Sequence, residues 1–182
     1  MPLDQLWATW RSLYVTGSPD SRRALPGDDG AVDHERSLFE RILASGAPDD
    51  ETFILERRAH CFAILNRFPY TSGHLMVLPN RAVAEIEALD DEEFEQLWST
   101  VRDGVVALKR AFGCDGVNVG VNLGRAAGGS QTDHLHVHCV PRWVGDANFM
   151  AVAGGSQVIP VALVDAWSSL RAAWPADGTL AP

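Results

Sequence analysis

Three of the six histidines in this 182-residue chain lie at alternate positions of one short segment, "DHLHVHCV". They are His134, His136 and His138. Side chains two residues apart on a β-strand point to the same side, so the spacing predicts a row of imidazoles on one face of a strand. Neighbouring imidazoles would lie about 6 to 7 Å apart, and the outer pair about 13 Å. Because a zinc–nitrogen bond is only about 2.0 to 2.1 Å long, one metal ion cannot bind all three.

Three uses of such a row remain: catalysis, a metal site or a half-solvated sheet face. A metal site would need two adjacent histidines and further ligands, for which His34, His60 and His74 are candidates. Catalysis is favoured because neutral imidazole has an unprotonated nitrogen that can attack phosphorus, while flanking imidazoles orient it and donate to the leaving group. The glycine-rich loop at 128–130, before the row, can offer backbone N–H groups to a phosphate.

Composition excludes several classes of protein. The formal net charge is −9 and no basic cluster is present, which argues against a protein that binds nucleic acid along its phosphate backbone. No apolar run approaches the roughly 18 residues of a membrane span, and no signal peptide follows Met1. We therefore expect a cytoplasmic protein with no membrane partner. The odd number and wide spacing of Cys61, Cys114 and Cys139 predict buried free thiols.

The elements that must position the histidine row begin with a short helix at 35–44. Apolar runs at 52–58 and 60–66 predict a β-hairpin, and 74–79 predicts a third strand.

The longest helix follows these strands. Asp90 is a candidate cap, Glu93 can reach back to it, and Gly113 ends the helix. Its apolar stripe comprises Phe94, Leu97, Trp98, Val101, Val105, Leu108 and Phe112.

A strand at 115–124 precedes the histidine row and alternates strictly. One face carries Val117, Val119, Val121 and Leu123, and the other carries Asn118, Gly120, Asn122 and Gly124. It can pair antiparallel with the histidine strand, which completes five strands and one long helix, an α+β domain with an antiparallel sheet. An amphipathic arm at 1–16, a loop at 17–33 and a last helix opened by Pro160 extend it.

The segment "HLHVHCV" resembles the signature of the histidine triad (HIT) family of nucleotide hydrolases and transferases. The similarity includes "FAILNRFPYTSGHLMVLP" and "NLGRAAGGSQTDH", and the flanking sequence resembles an actinobacterial branch. The resemblance implies one domain of HIT-like fold, with its core at about 36–145, an N-terminal arm and loop at 1–35 and a C-terminal extension at 146–182.

The resemblance also implies roles for individual residues. His136 would be the nucleophile that takes a nucleoside monophosphate, and His138 would contact the phosphate and leaving group, with His134 and His74 as hydrogen-bonded support. The expected substrate contacts are Leu38, Phe39 and Ile64 around the base, Asn66 at the ribose, Asn122, Gly129, Ser130 and Gln131 at the phosphates, and Trp143 in the C-terminal specificity region. Without the resemblance, Asn66 is typical of a residue that starts a turn.

One departure from the family pattern concerns zinc. Many bacterial members have a structural zinc bound by two cysteines, a histidine and the first histidine of the triad. Here the first three positions hold Ser37, Glu40 and Ala82. The resemblance therefore implies no zinc and no other resident cofactor, although a divalent cation can accompany the nucleotide.

The activity that the resemblance implies is cleavage of diadenosine tetraphosphate, or a similar dinucleotide, through a nucleotidyl-histidine. With phosphate as acceptor the products are ADP and ATP; with water the enzyme is a hydrolase, and a phosphoramidase would release AMP. Arg11, Arg125 and Arg142 are candidates for a second anion site. A non-catalytic nucleotide-binding protein is the alternative of a different class. The family also implies a homodimer, or a higher homo-oligomer, with joined sheets.

Overall fold

A five-stranded antiparallel sheet forms the centre of the computed structural model, which describes residues 36–128, 131–146 and 159–176. The strands are β1 Ile54–Arg57, β2 Cys61–Leu65, β3 Leu75–Pro79, β4 Gly116–Val121 and β5 Val137–Arg142, in the order β1-β2-β3-β5-β4. The predicted hairpin, third strand and α+β class are confirmed. The predicted arm at 1–16, the loop at 17–33 and the loop residues Gly129 and Ser130 lie outside the described residues.

Four α-helices accompany the sheet in the described part of the chain. They are α1 Leu38–Ala44, α2 Asp49–Thr52, α3 Asp91–Phe112 and α4 Leu163–Ala173, with 3₁₀ turns at Ile86–Ala88 and Arg125–Ala127. The predicted capping of α3 by Asp90 and Glu93 is confirmed. The predicted start of the last helix at Pro160 is wrong, because Ala162 is still extended and is the N-cap. No described helix has the length and apolarity needed to cross a membrane.

The long helix α3 is rotated relative to its predicted apolar stripe. Phe94 and Trp98 remain 44% and 36% exposed, whereas Gly104 and Ala107 are buried. A Cβ atom on Gly104 would lie 3.2 Å from a methyl carbon of Leu75 in β3, so the missing side chain permits close packing on the sheet. Leu97, Val101 and Leu108 of the predicted stripe are buried, but the contact face also includes the small residues Gly104 and Ala107, which carry little hydrophobic signal.

The two faces of the sheet bury two separate clusters. The main core lies on the side of α3 and includes Val77, Val137 and Cys139. The second cluster joins β2 and β3 to α1 and contains Phe62, Met76 and Phe39. Since side chains alternate along β5, the row of histidines lies on the side of the second cluster.

The histidine segment enters the sheet later than predicted. Strand β5 begins at Val137, so only His138 of the row lies within the ladder. The backbone N–H of Leu135 instead donates to the carbonyl of Val83 at 2.6 Å, which diverts the chain before β5.

Strand β4 forms one edge of the sheet and pairs only with β5 among the described strands. Its predicted alternation is confirmed, because Gly120 lies opposite His138 and Val119 opposite Cys139. The predicted strand was too long, since it ends at Val121. Val119 lies on the apolar face of this strand but is 42% exposed at the edge of the sheet.

The three cysteines are free and buried, as predicted. Burial raises the pKa of the Cys61 and Cys114 thiols and raises that of Cys139 to about 12.

Candidate active site

His136 is positioned by its neighbour in the row. Its Nδ1 lies 2.8 Å from the backbone carbonyl oxygen of His134. A carbonyl can only accept, so Nδ1 carries the hydrogen. In the neutral ring the lone pair is then on Nε2, the nitrogen available for attack. The side chain is 8% exposed, and its ring is 6.2 Å from that of Phe39 in α1.

His138 is paired with His74, the residue that precedes β3. His74 Nε2 and His138 Nδ1 are 3.0 Å apart, and the backbone N–H of Tyr70 donates to His74 Nδ1 at 3.1 Å. Because Nδ1 of His74 accepts, its hydrogen is on Nε2 and is donated to His138. In neutral His138 the hydrogen is consequently on Nε2, where it can be donated to a phosphate oxygen.

His74 is completely buried, and burial lowers its pKa to about 3, with further lowering by the charges of His138 and His136. The ring is therefore neutral at physiological pH. The rings of His136 and His138 meet edge to face at a centroid distance of 4.9 Å, closer than strand spacing alone predicts.

The ring of His134 is directed away from the other two histidines. Its Nε2 donates to the carbonyl of Pro79 at 2.9 Å, and its Nδ1 is 2.7 Å from the hydroxyl of Ser37. Burial lowers its pKa, so it is neutral. His134 therefore supports His136 through its backbone carbonyl, whereas His74 supports His138 through its ring.

The positions that the resemblance assigns to zinc ligands lie together, but they do not fit a zinc ion. Glu40 accepts the backbone N–H groups of Ala82 and Ser37, each at 2.9 Å. Burial alone would raise the pKa of Glu40, but these hydrogen bonds hold it below its ordinary value. Ala82 offers no ligand atom on its side chain, and both ring nitrogens of His134 are hydrogen-bonded. A tetrahedral site of nitrogen and sulfur ligands cannot form here without rearrangement.

The residues predicted to enclose the base gather in the second cluster. Phe39 and Ile64 are buried there, and Leu38 packs against it. Asn66 lies beside the site, with its Nδ2 3.4 Å from His74 Nδ1, while its Oδ1 accepts the N–H of Phe68 at 2.9 Å. Asn66 thus starts a turn, as its sequence position alone indicates, and its contact with ribose remains a prediction.

The structure brings together only some of the predicted substrate contacts. Asn122 directly follows β4, one position beyond the pairing of Val121 with Val137, and therefore lies near His136. Gln131 is half-buried in the segment that leads to the row. Gly129 and Ser130 lie outside the described residues.

Trp143 is not brought to the histidines. It packs against the main core, on the other face of the sheet, because its odd position continues the alternation of Val137 and Cys139. Of the candidate arginines, Arg142 forms a two-pronged pair with Asp146, at 2.6 and 2.8 Å. Arg125 lies in the exposed 3₁₀ turn after β4, and Arg11 is outside the described residues.

Two residues of the site were missed from the sequence. Ser37 caps α1 and contacts His134, and the pattern Ser-x-x-Glu of a capping box in "SLFE" could have identified its first role. Tyr70 contacts both His74 and His138, and nothing in its local sequence indicates this.

Several known proteins are similar to this chain in sequence or in structure. A family model described as HIT domain matches residues 48–144. The AP-4-A phosphorylase of Mycobacterium tuberculosis (strain ATCC 25618 / H37Rv) is 40% identical over 172 residues, which cover 94% of this chain and 85% of that protein. The bis(5'-adenosyl)-triphosphatase of Dictyostelium discoideum is 33% identical over 81 residues, 44% of this chain and 54% of that protein. A Zn-bound histidine triad family protein from Mycobacterium smegmatis has a similar crystal structure, with a TM-score of 0.62, 25% identity and coverage of 75% of this chain and 91% of that chain.

Proposed function

The chain belongs to the HIT domain family, and on that premise we propose that it cleaves diadenosine tetraphosphate, or a related dinucleoside polyphosphate, through a nucleotidyl group on His136. The observation that carries the proposal is the 2.8 Å hydrogen bond from His136 Nδ1 to the carbonyl of His134. It leaves Nε2 as the nucleophile without the need for a separate base. The 40% identity to an AP-4-A phosphorylase supports the choice of substrate.

In the first step, Nε2 of His136 forms a bond to the α-phosphorus while the bond from that phosphorus to its bridging oxygen breaks. ATP leaves, and AMP stays on the ring. The positive charge that the ring gains is stabilised by the carbonyl of His134, which accepts the Nδ1 hydrogen. The Nε2 hydrogen of His138 is donated to the oxygens on which negative charge develops.

In the second step, inorganic phosphate attacks the same phosphorus, the phosphorus–nitrogen bond breaks and ADP leaves. The free imidazole of His136 is thereby restored. Phosphate requires an anion site beside the intermediate. Because Arg142 is paired with Asp146, we assign that site to Arg125, in the exposed turn that follows β4.

The test is a product assay with diadenosine tetraphosphate, with and without inorganic phosphate. ADP and ATP formed only with phosphate are the expected result. AMP and ATP formed without phosphate would instead identify a hydrolase. An absence of turnover under both conditions would refute the enzymatic proposal. Acid-free denaturation during turnover, followed by mass spectrometry, should detect AMP on the peptide that contains His136.

The matched variants are His136→Ala and His60→Ala. We expect the first to lower turnover on the order of 10⁴-fold or more, while nucleotide affinity stays within about tenfold. His60 is a partly exposed histidine 3.7 Å from Glu92 and outside the site, so its removal should leave turnover unchanged. Wild-type rates in His136→Ala would refute the role of the nucleophile.

We also propose that the protein is a cytoplasmic homodimer without structural zinc. Three free, buried cysteines suit a reducing compartment. The edge strand β4, with Val119 exposed, has no second partner among the described strands and can offer this edge to a second copy. Light scattering of the wild type should give the mass of a dimer, and Val119→Lys should shift it toward the monomer.

A further inference from the structure

Tyr70 lies in the turn that connects β2 to β3 and ends at His74. Several hydrogen bonds fix this turn. The Asn66 N–H donates to the His74 carbonyl at 2.9 Å, and the His74 N–H donates to the Thr71 carbonyl at 3.1 Å. The hydroxyl of Thr71 donates to the carbonyl of Pro141 at 3.0 Å, which ties the turn to β5. These hydrogen bonds tie the turn to the start of β3 and to the end of β5.

Tyr70 contacts the paired imidazoles in two ways. Its backbone N–H donates to Nδ1 of His74 at 3.1 Å. Its ring lies over the same imidazole at a centroid distance of 4.6 Å and extends to His138 at 5.9 Å, tilted by 41° and 31°. One residue thus supplies both a donor to His74 and an apolar cover over the hydrogen bond between the two histidines.

We propose that Tyr70 is a positioning residue of the reaction, whose backbone N–H and ring together fix the tautomer of His74 and, through it, the orientation of His138. The role rests on the proposed function, since it matters for turnover only if His138 donates to the phosphates. The N–H excludes a hydrogen from Nδ1 of His74. The ring keeps water from the Nε2 hydrogen that His74 donates to His138.

The ring of Tyr70 contributes to the burial of His74, which it contacts at a centroid distance of 4.6 Å. Burial is the largest cause of its lowered pKa, about 3. Among the described residues, the titratable groups that face it are Tyr70 from its own turn and His136 and His138 from the histidine segment. Loss of the Tyr70 ring would admit water, and the pKa of His74 would rise toward 6.5. Protonated His74 has no acceptor for the Tyr70 N–H, so the arrangement would fail as pH falls.

The test compares Tyr70→Ala with Tyr70→Phe, which keeps the ring. Histidine side-chain NMR measures the titration of His74, and steady-state kinetics measures kcat and KM against pH. In Tyr70→Ala we expect the pKa of His74 to rise toward 6.5, so that kcat at pH 5 falls about tenfold or more while KM stays within about threefold. Tyr70→Phe should retain the wild-type titration and a kcat within about threefold.

An unchanged titration of His74 and an unchanged pH profile in Tyr70→Ala would overturn the proposal. So would equal effects of the two variants. If Tyr70→Ala does not fold, Tyr70→Val replaces it, because its side chain is too short to cover the hydrogen bond between the two imidazoles. If the wild-type protein turns over no dinucleotide, the proposed function fails, and the NMR titration still decides whether Tyr70 fixes His74.

Discussion

The two ends of the histidine row have the same residue type on the same face but opposite surroundings. At one end His134 is 1% exposed, and its ring is bound between the Ser37 hydroxyl and the Pro79 carbonyl. At the other end His138 is half-buried, and its ring is bound on one side by His74. A ring bound to a backbone carbonyl and a hydroxyl serves the fold, whereas a ring paired with a second imidazole can serve the reaction that we propose. The partners, more than the spacing, decide the role.

The largest effect that tests this comparison is expected at the catalytic end. His138→Ala should lower kcat on the order of 10³-fold, because it removes the donor to the phosphates. The free energy of unfolding, measured by urea titration, should fall by less than about 1.5 kcal/mol. A variant with near wild-type kcat would place the donor elsewhere in the site.

His134→Ala should show the opposite pattern. The substitution leaves a cavity and removes the partner of the Pro79 carbonyl, so we expect the free energy of unfolding to fall by about 3 kcal/mol. Since the backbone carbonyl that holds His136 remains, kcat of the folded fraction should fall less than about tenfold. If instead stability is unchanged and kcat falls as in His138→Ala, the two ends do not differ as described.

A smaller effect separates the two capping boxes of the chain. Ser37 caps α1 and also contacts His134, whereas Asp90 caps α3 without any contact to the row. Ser37→Ala should cost about 2 kcal/mol of unfolding free energy, and Asp90→Ala about 1 kcal/mol. Equal costs in urea titrations would mean that the hydroxyl contributes only as a cap.

A last effect is the dependence of the free energy of unfolding on pH. His74 and His134 both have a pKa that is lower in the folded protein than in the unfolded chain, so the unfolded chain binds more protons at acidic pH. Their contribution is complete above about pH 7 and is lost as pH falls below about 6.5 toward the folded pKa, about 3 for His74. Between its pKa in the unfolded chain and its pKa in the folded protein, each histidine should lower the free energy of unfolding by about 1.4 kcal/mol for every unit by which the pH falls. Between pH 6 and 5, His74→Gln should reduce the slope of the unfolding free energy against pH by the amount that corresponds to the binding of about one proton.

Much of the site follows from local pattern. The alternation of residues 134–138 predicts one imidazole face, and the Asp90 and Glu93 pair predicts the start of α3, because both depend only on nearby residues. The binding of His134 by Ser37 could not be predicted, since 97 residues separate the two in the chain. The cover of His138 by Tyr70 likewise depends on how the turn before β3 meets β5. The orientation of α3 could not be predicted fully, because Gly104 and Ala107 allow close packing on the sheet through their small size and add little to the hydrophobic pattern.

The thiol of Cys139 lies one residue from His138, on the other face of β5. Its pKa of about 12 leaves almost no thiolate at neutral pH, and thiolate is the form that peroxides and alkylating reagents attack. The alternation of side chains along this segment thus places the imidazoles on one face and the buried thiol of Cys139 on the other. We expect that oxidants do not reach this thiol. Turnover should therefore be unchanged by a peroxide treatment that inactivates enzymes with exposed thiols.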